Sequence, residues 1–183
     1  IERARRGDEA AWGEIYRDLA GPVTGYLAGL GVTDAEDIAG EDRIKLADDG
    51  EPAGAMRAHA EAHGVSLADS HAAAVAEAGL VVSAVTASQT LAVARACAPA
   101  LAPGAWFLDF NSASPGAKRD AAAVVDAAGG RYVEGAVMTS VPPYRIRVPL
   151  LLGGQHAARL APLLRELGFD AQFAADRIGV ASA

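Results

Sequence analysis

The fold is decided by residues 80–115, which read LVVSAVTASQTLAVARACAPALAPGAWFLDFNSASP. The stretch opens with a nearly continuous apolar run over 80–85, as expected of a strand that is buried on both faces of a sheet. A helical pattern over 89–98 follows, and a second apolar run over 105–110 comes after a Pro-Gly turn. A strand, a helix and a strand in this order predict a βαβ unit with parallel strands.

The same alternation continues toward the carboxyl end. Ser114 before Pro115 marks the start of a helix that we expect to end at a pair of glycines, Gly129 and Gly130. Further strands are predicted over 131–137, 148–152 and 169–173, and a further helix over 155–167. The prediction is an α/β fold with a Rossmann-like, mainly parallel sheet and flanking helices, preceded by a short helical segment.

That first segment has a different pattern. Apolar residues recur at helical spacing over residues 12–30, and Thr33 with Glu36 predicts a capping box for a second helix. After the change of pattern, a strand is predicted over 43–47, a helix over 49–64 and a short helix capped by Ser70. We therefore predict a helical segment over 1–41, a Rossmann-like domain over 42–175 and the start of another helix over 176–183.

Composition excludes several classes of protein. With 51% apolar residues among 183, the chain can form a packed core, and its net charge of −7 argues against nucleic acid as a partner. A single cysteine, Cys97, excludes an intrachain disulfide and fits a reducing, cytoplasmic location. No apolar run is long enough to span a membrane. His59 and His63 have no third ligand nearby in the sequence, so no metal site is predicted.

Four blocks in a fixed order carry a resemblance to a known family. They are VTAS over 85–88, DFNSASP over 109–115, EGAVMTS over 134–140 and LLGG over 151–154. Through them the sequence from residue 80 onward resembles the β-hydroxyacid dehydrogenases, which include 3-hydroxyisobutyrate and 6-phosphogluconate dehydrogenases. DFNSASP looks like the motif that ends a strand of that family, and EGAVMTS looks like its substrate loop.

The resemblance implies an NAD(P)-dependent oxidoreductase that passes a hydride between nicotinamide and a small hydroxyacid. It implies contacts to NADP or NAD from Val85, Thr86, Asn111 and Ser112. It also implies substrate contacts from Thr139 and Ser140. The choice between NAD and NADP, the identity of the hydroxyacid and the existence of a homodimer are left open.

Several departures from the family pattern bear on activity. Met138 stands where the family has a serine, and a thioether cannot donate a hydrogen bond to a substrate. Asp34 stands where the third glycine of a G-x-G-x-x-G loop would follow Gly29-Leu30-Gly31. Residues 176–183 look like the start of the helix that carries the family's lysine, and the sequence ends before that position. We therefore expect a truncated or inactive form and assign no catalytic residue.

A second resemblance supports an alternative. Residues 4–12 and 34–41 look like region 2 of an extracytoplasmic-function sigma factor, a bacterial class of protein. The alternative hypothesis is a non-enzymatic module that binds a nucleotide or associates with RNA polymerase. Whether the junction near residue 41 is natural is left open, and so is whether the chain is an enzyme.

Overall fold

The computed structural model describes residue 61 and residues 66–181, and every element below belongs to that part of the chain. Five strands form one sheet in the order β1-β2-β3-β4-β5. They are β1 Leu80–Ser83, β2 Trp106–Asp109, β3 Arg131–Val137, β4 Pro149–Gly153 and β5 Asp170–Ala175. The helices are α1 His71–Val75, α2 Thr90–Cys97, α3 Pro115–Ala127, α4 Val141–Tyr144 and α5 Ala157–Glu166, with 3-10 turns at Ala87–Gln89, Ala98–Ala100 and Arg145–Arg147.

The sheet is parallel except at one pairing. β1 with β2, β2 with β3, and β4 with β5 are parallel, whereas β3 and β4 are antiparallel, with Val137 opposite Leu150. The connection over 138–148 holds only a one-turn helix and a 3-10 turn, which is too short for a parallel crossover. The mainly parallel α/β fold is therefore confirmed, and the start of β4 lies at the same edge as the carboxyl ends of β1, β2 and β3.

Helices cover both faces of the sheet. On one face, Val81, Phe107 and Tyr132 of the first three strands pack against buried residues of α2 and α3. On the other face, the strands pack against α5, whose inward-facing residues are Ala157, Leu160, Ala161 and Leu164. The near-continuous apolar strands are explained by this double covering, because neither face of the central strands reaches water.

The helix starts agree with the sequence pattern. Ser70 caps α1 by accepting from Ala73 N at 3.1 Å, and Ser114 caps α3 by accepting from Ala117 N at 3.3 Å. α2 begins one residue later than predicted, because a 3-10 turn precedes it. Cys97 is buried in α2, and burial raises the pKa of its thiol to about 12.

Several predictions lie outside the described residues. They concern the helices over 12–30 and after Thr33, the strand over 43–47 and, apart from residue 61, the helix over 49–64. Within the described part, residues 176–181 form bends and turns after β5. The division into domains stays a prediction. None of the helices described here is long and apolar enough to cross a membrane.

Candidate functional site

A row of buried polar side chains crosses the sheet level with the carboxyl ends of β1 and β2. Ser83, Asp109 and Glu134 are register partners in β1, β2 and β3, and each is at most 1% exposed. Above the row, Lys118 of α3 is 0% exposed, and its Nζ lies 3.9 Å from Glu134 Oε1. Because these groups have lost their hydration, their partners must come from within the protein.

Lys118 also faces the backbone of the two central strands. Its Nζ lies 3.5 Å from Asp109 O and 3.5 Å from Gly135 O, as a donor to both carbonyls. The ammonium group is therefore surrounded by acceptors from the end of β2 and the middle of β3. It is the positive charge that these buried carboxyl groups share, and it fixes the first turns of α3 over the sheet.

Asp109 is held by two donors. The Tyr132 hydroxyl donates to Asp109 Oδ2, and Asn111 N donates to Asp109 Oδ1 at 2.7 Å. Burial raises the pKa of Asp109 above its ordinary value, and the charge of Lys118 and the Tyr132 hydrogen bond oppose that rise. Burial, followed by the nearby Asp109, also raises the pKa of Tyr132. Burial therefore outweighs these partners, and the pKa of Asp109 stays above its ordinary value.

We expect the substitution Asp109→Asn to remove a pH dependence from the free energy of unfolding. Folding raises the pKa of this carboxyl group above its unfolded value of about 3.9. Below the unfolded pKa the group therefore costs the fold no stability, whereas above the folded pKa it lowers the free energy of unfolding. Wild-type stability should therefore fall, relative to the variant, as pH rises through that interval. The relative loss is about 1.4 kcal/mol for each unit between the two pKa values. Urea denaturation of both proteins from about pH 4 to about pH 8 measures this relative loss. The prediction is refuted if the free energies of unfolding of the wild type and the variant change with pH in parallel.

Asn111 joins the loops that follow β1 and β2. The residue is 3% exposed, its Oδ1 accepts from Val85 N at 2.6 Å, and its Nδ2 donates to Ser83 Oγ at 3.1 Å. The structure thus brings together two of the predicted cofactor residues, Val85 and Asn111. The side-chain amide of Asn111 forms both of these hydrogen bonds within the protein, and it thereby positions the loop that carries Val85 and Thr86.

The other two predicted cofactor residues are more open. Thr86 is half-buried and Ser112 is exposed, and both lie on the loops that directly follow β1 and β2. Thr86 Oγ1 lies 3.2 Å from Ser88 Oγ in a hydroxyl pair. Ligands of open α/β sheets bind at such carboxyl ends. Two hydroxyl groups on adjacent loops fit the ribose hydroxyls and the carboxamide of a nicotinamide nucleotide, since each can donate or accept.

The predicted substrate residues lie at the same edge on another loop. Thr139 and Ser140 are exposed and follow β3. Because β3 is parallel to β1 and β2, its carboxyl end points to the same edge of the sheet, and it extends past theirs to Val137. The topology therefore brings the two predicted substrate residues to the edge that also carries Thr86 and Ser112.

The segment after β5 contacts the polar row. Gly179 N donates to Glu134 Oε2 at 2.7 Å, with Gly179 at φ +89°. A Cβ at this position would stand 2.6 Å from Pro115 Cβ, at the start of α3. Only glycine combines this backbone angle with so close an approach. Glu134 therefore holds both α3, through Lys118, and the segment that follows the last strand.

Sequence reasoning missed Lys118, Tyr132 and Glu134. One signal was available in the helical periodicity of α3. Its inward-facing residues are Lys118, Ala121, Ala122 and Val125, so a lysine occupies a position where an apolar residue is expected. Glu134 likewise interrupts a buried strand. A buried lysine needs acceptors, and a search for a matching acid on a neighbouring strand would have led to Glu134.

A buried hydroxyl group and a search for metal ligands add no residue to the candidate site. Thr90 Oγ1, in the first turn of α2, is buried and has no hydrogen-bond partner in the part of the chain described. Because this oxygen has no exposed surface, a bound cofactor would not reach it. Within residues 66–181, no three His, Cys, Asp or Glu side chains are grouped so that they could hold a metal ion.

Comparison with solved structures supports the fold. A conserved hypothetical protein from Sinorhizobium meliloti is 34% identical, with a TM-score of 0.69 over 87% of this chain and 60% of that one. Mycobacterium tuberculosis 3-hydroxyisobutyrate dehydrogenase, solved with L-serine, is 23% identical, with a TM-score of 0.62 over 72% of this chain and 46% of that one. No protein-family model matches the chain, and no curated protein matches it.

A third similar structure contains a dinucleotide. The imine reductase from Myxococcus stipitatus, in complex with NADP⁺, is 21% identical, with a TM-score of 0.59 over 70% of this chain and 46% of that one. The chain thus spans 60% or less of the length of each of these proteins. The described residues have the Rossmann-like fold of the 3-hydroxyisobutyrate dehydrogenase and imine reductase structures. None of these three structures is a sigma factor, and the sigma-factor resemblance of residues 1–41 stays a prediction.

Proposed function

We propose that this chain supplies the nicotinamide-binding part of an NAD(P)-dependent oxidoreductase of the β-hydroxyacid dehydrogenase type. The observation that carries the proposal is the Asn111 bridge, which fixes the loops after β1 and β2 against each other at the carboxyl edge. These two loops hold Thr86 and Ser112, the half-buried and exposed hydroxyl groups assigned to the cofactor. The likeness to a dehydrogenase and to a reductase solved with NADP⁺ supports the same ligand class.

The residues of this chain would bind and orient, and we assign no catalytic side chain among those described. Thr86 and Ser112 would hydrogen-bond the cofactor, while Asn111 keeps their loops in place. Thr139 and Ser140 would contact the substrate from the loop after β3. When bound, the oxidised nicotinamide would accept a hydride from a carbon that bears a hydroxyl group, and this carbon would become a carbonyl as the hydroxyl proton passes to water.

We expect NADPH or NADH to stabilise the protein against thermal unfolding. At a concentration 100 times its dissociation constant, a ligand that binds only the folded state adds about 2.7 kcal/mol, which should raise Tm by several degrees. The substitution Ser112→Asp should abolish this rise, because it puts a carboxylate beside the phosphate-bearing ligand. Differential scanning calorimetry with each cofactor measures the effect.

A matched control distinguishes the effect of a negative charge at the cofactor edge from the effect of the same charge elsewhere on the protein. Ala158 is exposed near the start of α5, which follows the end of β4 and so lies at the opposite edge of the sheet. Ala158→Asp adds the same charge there and should leave the cofactor response intact. If neither NADPH nor NADH changes Tm, the dinucleotide proposal fails.

A further inference from the structure

The loop between β3 and β4 concentrates positive charge in an acidic protein. Residues 138–148 read MTSVPPYRIRV, with two arginines and neither aspartate nor glutamate, whereas the whole chain has a net charge of −7. Arg145 and Arg147 are both exposed. A guanidinium group presents paired N–H donors in the geometry of a carboxylate or phosphate group. The composition of this loop therefore favours the binding of an oxyanion.

The loop has a defined conformation, closed at its base. Met138 N donates to Pro149 O at 3.0 Å, next to the antiparallel pairing of β3 with β4. Within the loop, Arg145 N donates to Val141 O, and Val148 N donates to Arg145 O at 3.0 Å. Hydrogen bonds on both sides of Arg145 thus fix its backbone. A cation on such a loop loses less freedom on binding a ligand than one on a loose tail.

Arg145 has a backbone conformation that favours glycine. Its φ is 52° and its ψ is −130°, whereas in the rest of the described chain every positive φ belongs to a glycine. An arginine is strained there, and strained residues persist where the surrounding structure holds them and cluster at ligand sites. Glycine would form the same turn without strain. The presence of arginine instead indicates that the turn serves to present this side chain.

The position of the loop connects it with the proposed cofactor edge. β3 is parallel to β1 and β2 and continues past their ends to Val137, so the loop leaves the sheet at the same edge as the loops that carry Thr86 and Ser112. Met138, at the start of the loop, is 53% exposed but has a thioether that cannot donate to an anion. The arginines are therefore the strong anion donors of this loop.

We propose that Arg145 and Arg147 recognise the oxyanion group of the substrate and so determine its chemical class. This inference rests on the proposed function, because it names what the same site binds. It goes further by assigning two residues of this loop to the anionic group of the substrate, and its test decides whether that group is a carboxylate or a phosphate ester. Thr139 and Ser140, at the other end of the loop, add hydroxyl groups that can contact the remainder of the molecule.

The test titrates the protein with 3-hydroxypropionate, with inorganic phosphate and with uncharged 1,3-propanediol at constant ionic strength, following Tm. We expect at least one anion to raise Tm and the diol to leave it unchanged. Arg145→Ala and Arg147→Ala should each weaken the apparent affinity about tenfold, as loss of a charge-assisted contact does. A stronger response to phosphate assigns a phosphate ester, and a stronger response to 3-hydroxypropionate assigns a carboxylate.

Two controls make the result specific. Arg159 is an exposed arginine of α5, and Arg159→Ala changes the net charge equally but should keep the wild-type affinity. Arg145→Gly should lose the anion response while its Tm without ligand is no lower than that of Arg145→Ala, because glycine relieves the strain. The proposal is overturned if Arg159→Ala weakens binding as much as the loop variants, if Arg145→Gly keeps wild-type affinity, or if no anion raises Tm.

The titration is run with and without NADP⁺, while NADPH binding is measured separately. An anion response that depends on the arginines, in a protein that NADPH does not stabilise, would refute the dinucleotide proposal and support the anion site. Stabilisation by NADPH without any anion response would refute the anion site alone. The two failures are therefore distinguishable.

Discussion

Replacing Lys118 with methionine should lower the free energy of unfolding by about 3–5 kcal/mol, the cost of breaking a buried ion pair from one side. Lys118 and Glu134 are both 0% exposed, with 3.9 Å between Nζ and Oε1. Methionine fills similar space but takes the positive charge away from two buried carboxyl groups, Glu134 and Asp109. Urea denaturation followed by circular dichroism measures the loss.

Two variants identify the cause of that loss. Arg119→Met removes the same charge from the next residue of α3, which is exposed, and should change stability by less than about 0.5 kcal/mol. Adding Glu134→Gln to Lys118→Met should recover much of the loss, because the amide oxygen can still accept from Gly179 N while the buried negative charge is gone. An equal cost for Lys118→Met and Arg119→Met would contradict the buried pair.

Removing the Asn111 side chain should both destabilise the protein and abolish cofactor binding. Asn111→Ala deprives Val85 N and Ser83 Oγ of their partner, and a buried polar group left unsatisfied costs about 1–3 kcal/mol. The loop that carries Thr86 is then no longer tied to the end of β2. We expect NADPH to have no effect on the Tm of this variant at concentrations that stabilise the wild type.

The substitution Ser83→Ala isolates one half of this effect. It removes the bond from Asn111 Nδ2 but keeps the bond from Val85 N, so the loop stays attached. We expect a smaller loss of stability than for Asn111→Ala and a cofactor response close to that of the wild type. If Asn111→Ala binds NADPH as well as Ser83→Ala does, then the bridge does not organise the cofactor edge.

The fold could be predicted because its signals are local. The apolar runs that became β1 and β2, the Ser114-Pro115 start of α3 and the glycines after it each depend on a few neighbouring residues. The antiparallel direction of β4 was not predicted, because it follows from the shortness of the connection over 138–148 rather than from the strand itself.

The candidate site could be predicted only in part. Val85 and Asn111 were both assigned to the cofactor, and the structure joins them by a hydrogen bond, but the structural task of the Asn111 amide was not foreseen. The cluster of Asp109, Lys118 and Glu134 depends on contacts between a helix and two strands that are distant in the sequence. Sequence periodicity indicates which side of an element faces inward, but it does not show which residues meet there.

The central claim is that the carboxyl edge of β1 and β2 binds a nicotinamide dinucleotide, and amide chemical shifts measured during an NADP⁺ titration test it most directly. The account predicts saturable shifts at Val85, Thr86 and Ser112, with little change at Ala158 near the start of α5. Shifts confined to the opposite edge of the sheet, or no saturable shift at Val85, Thr86 and Ser112, would contradict it.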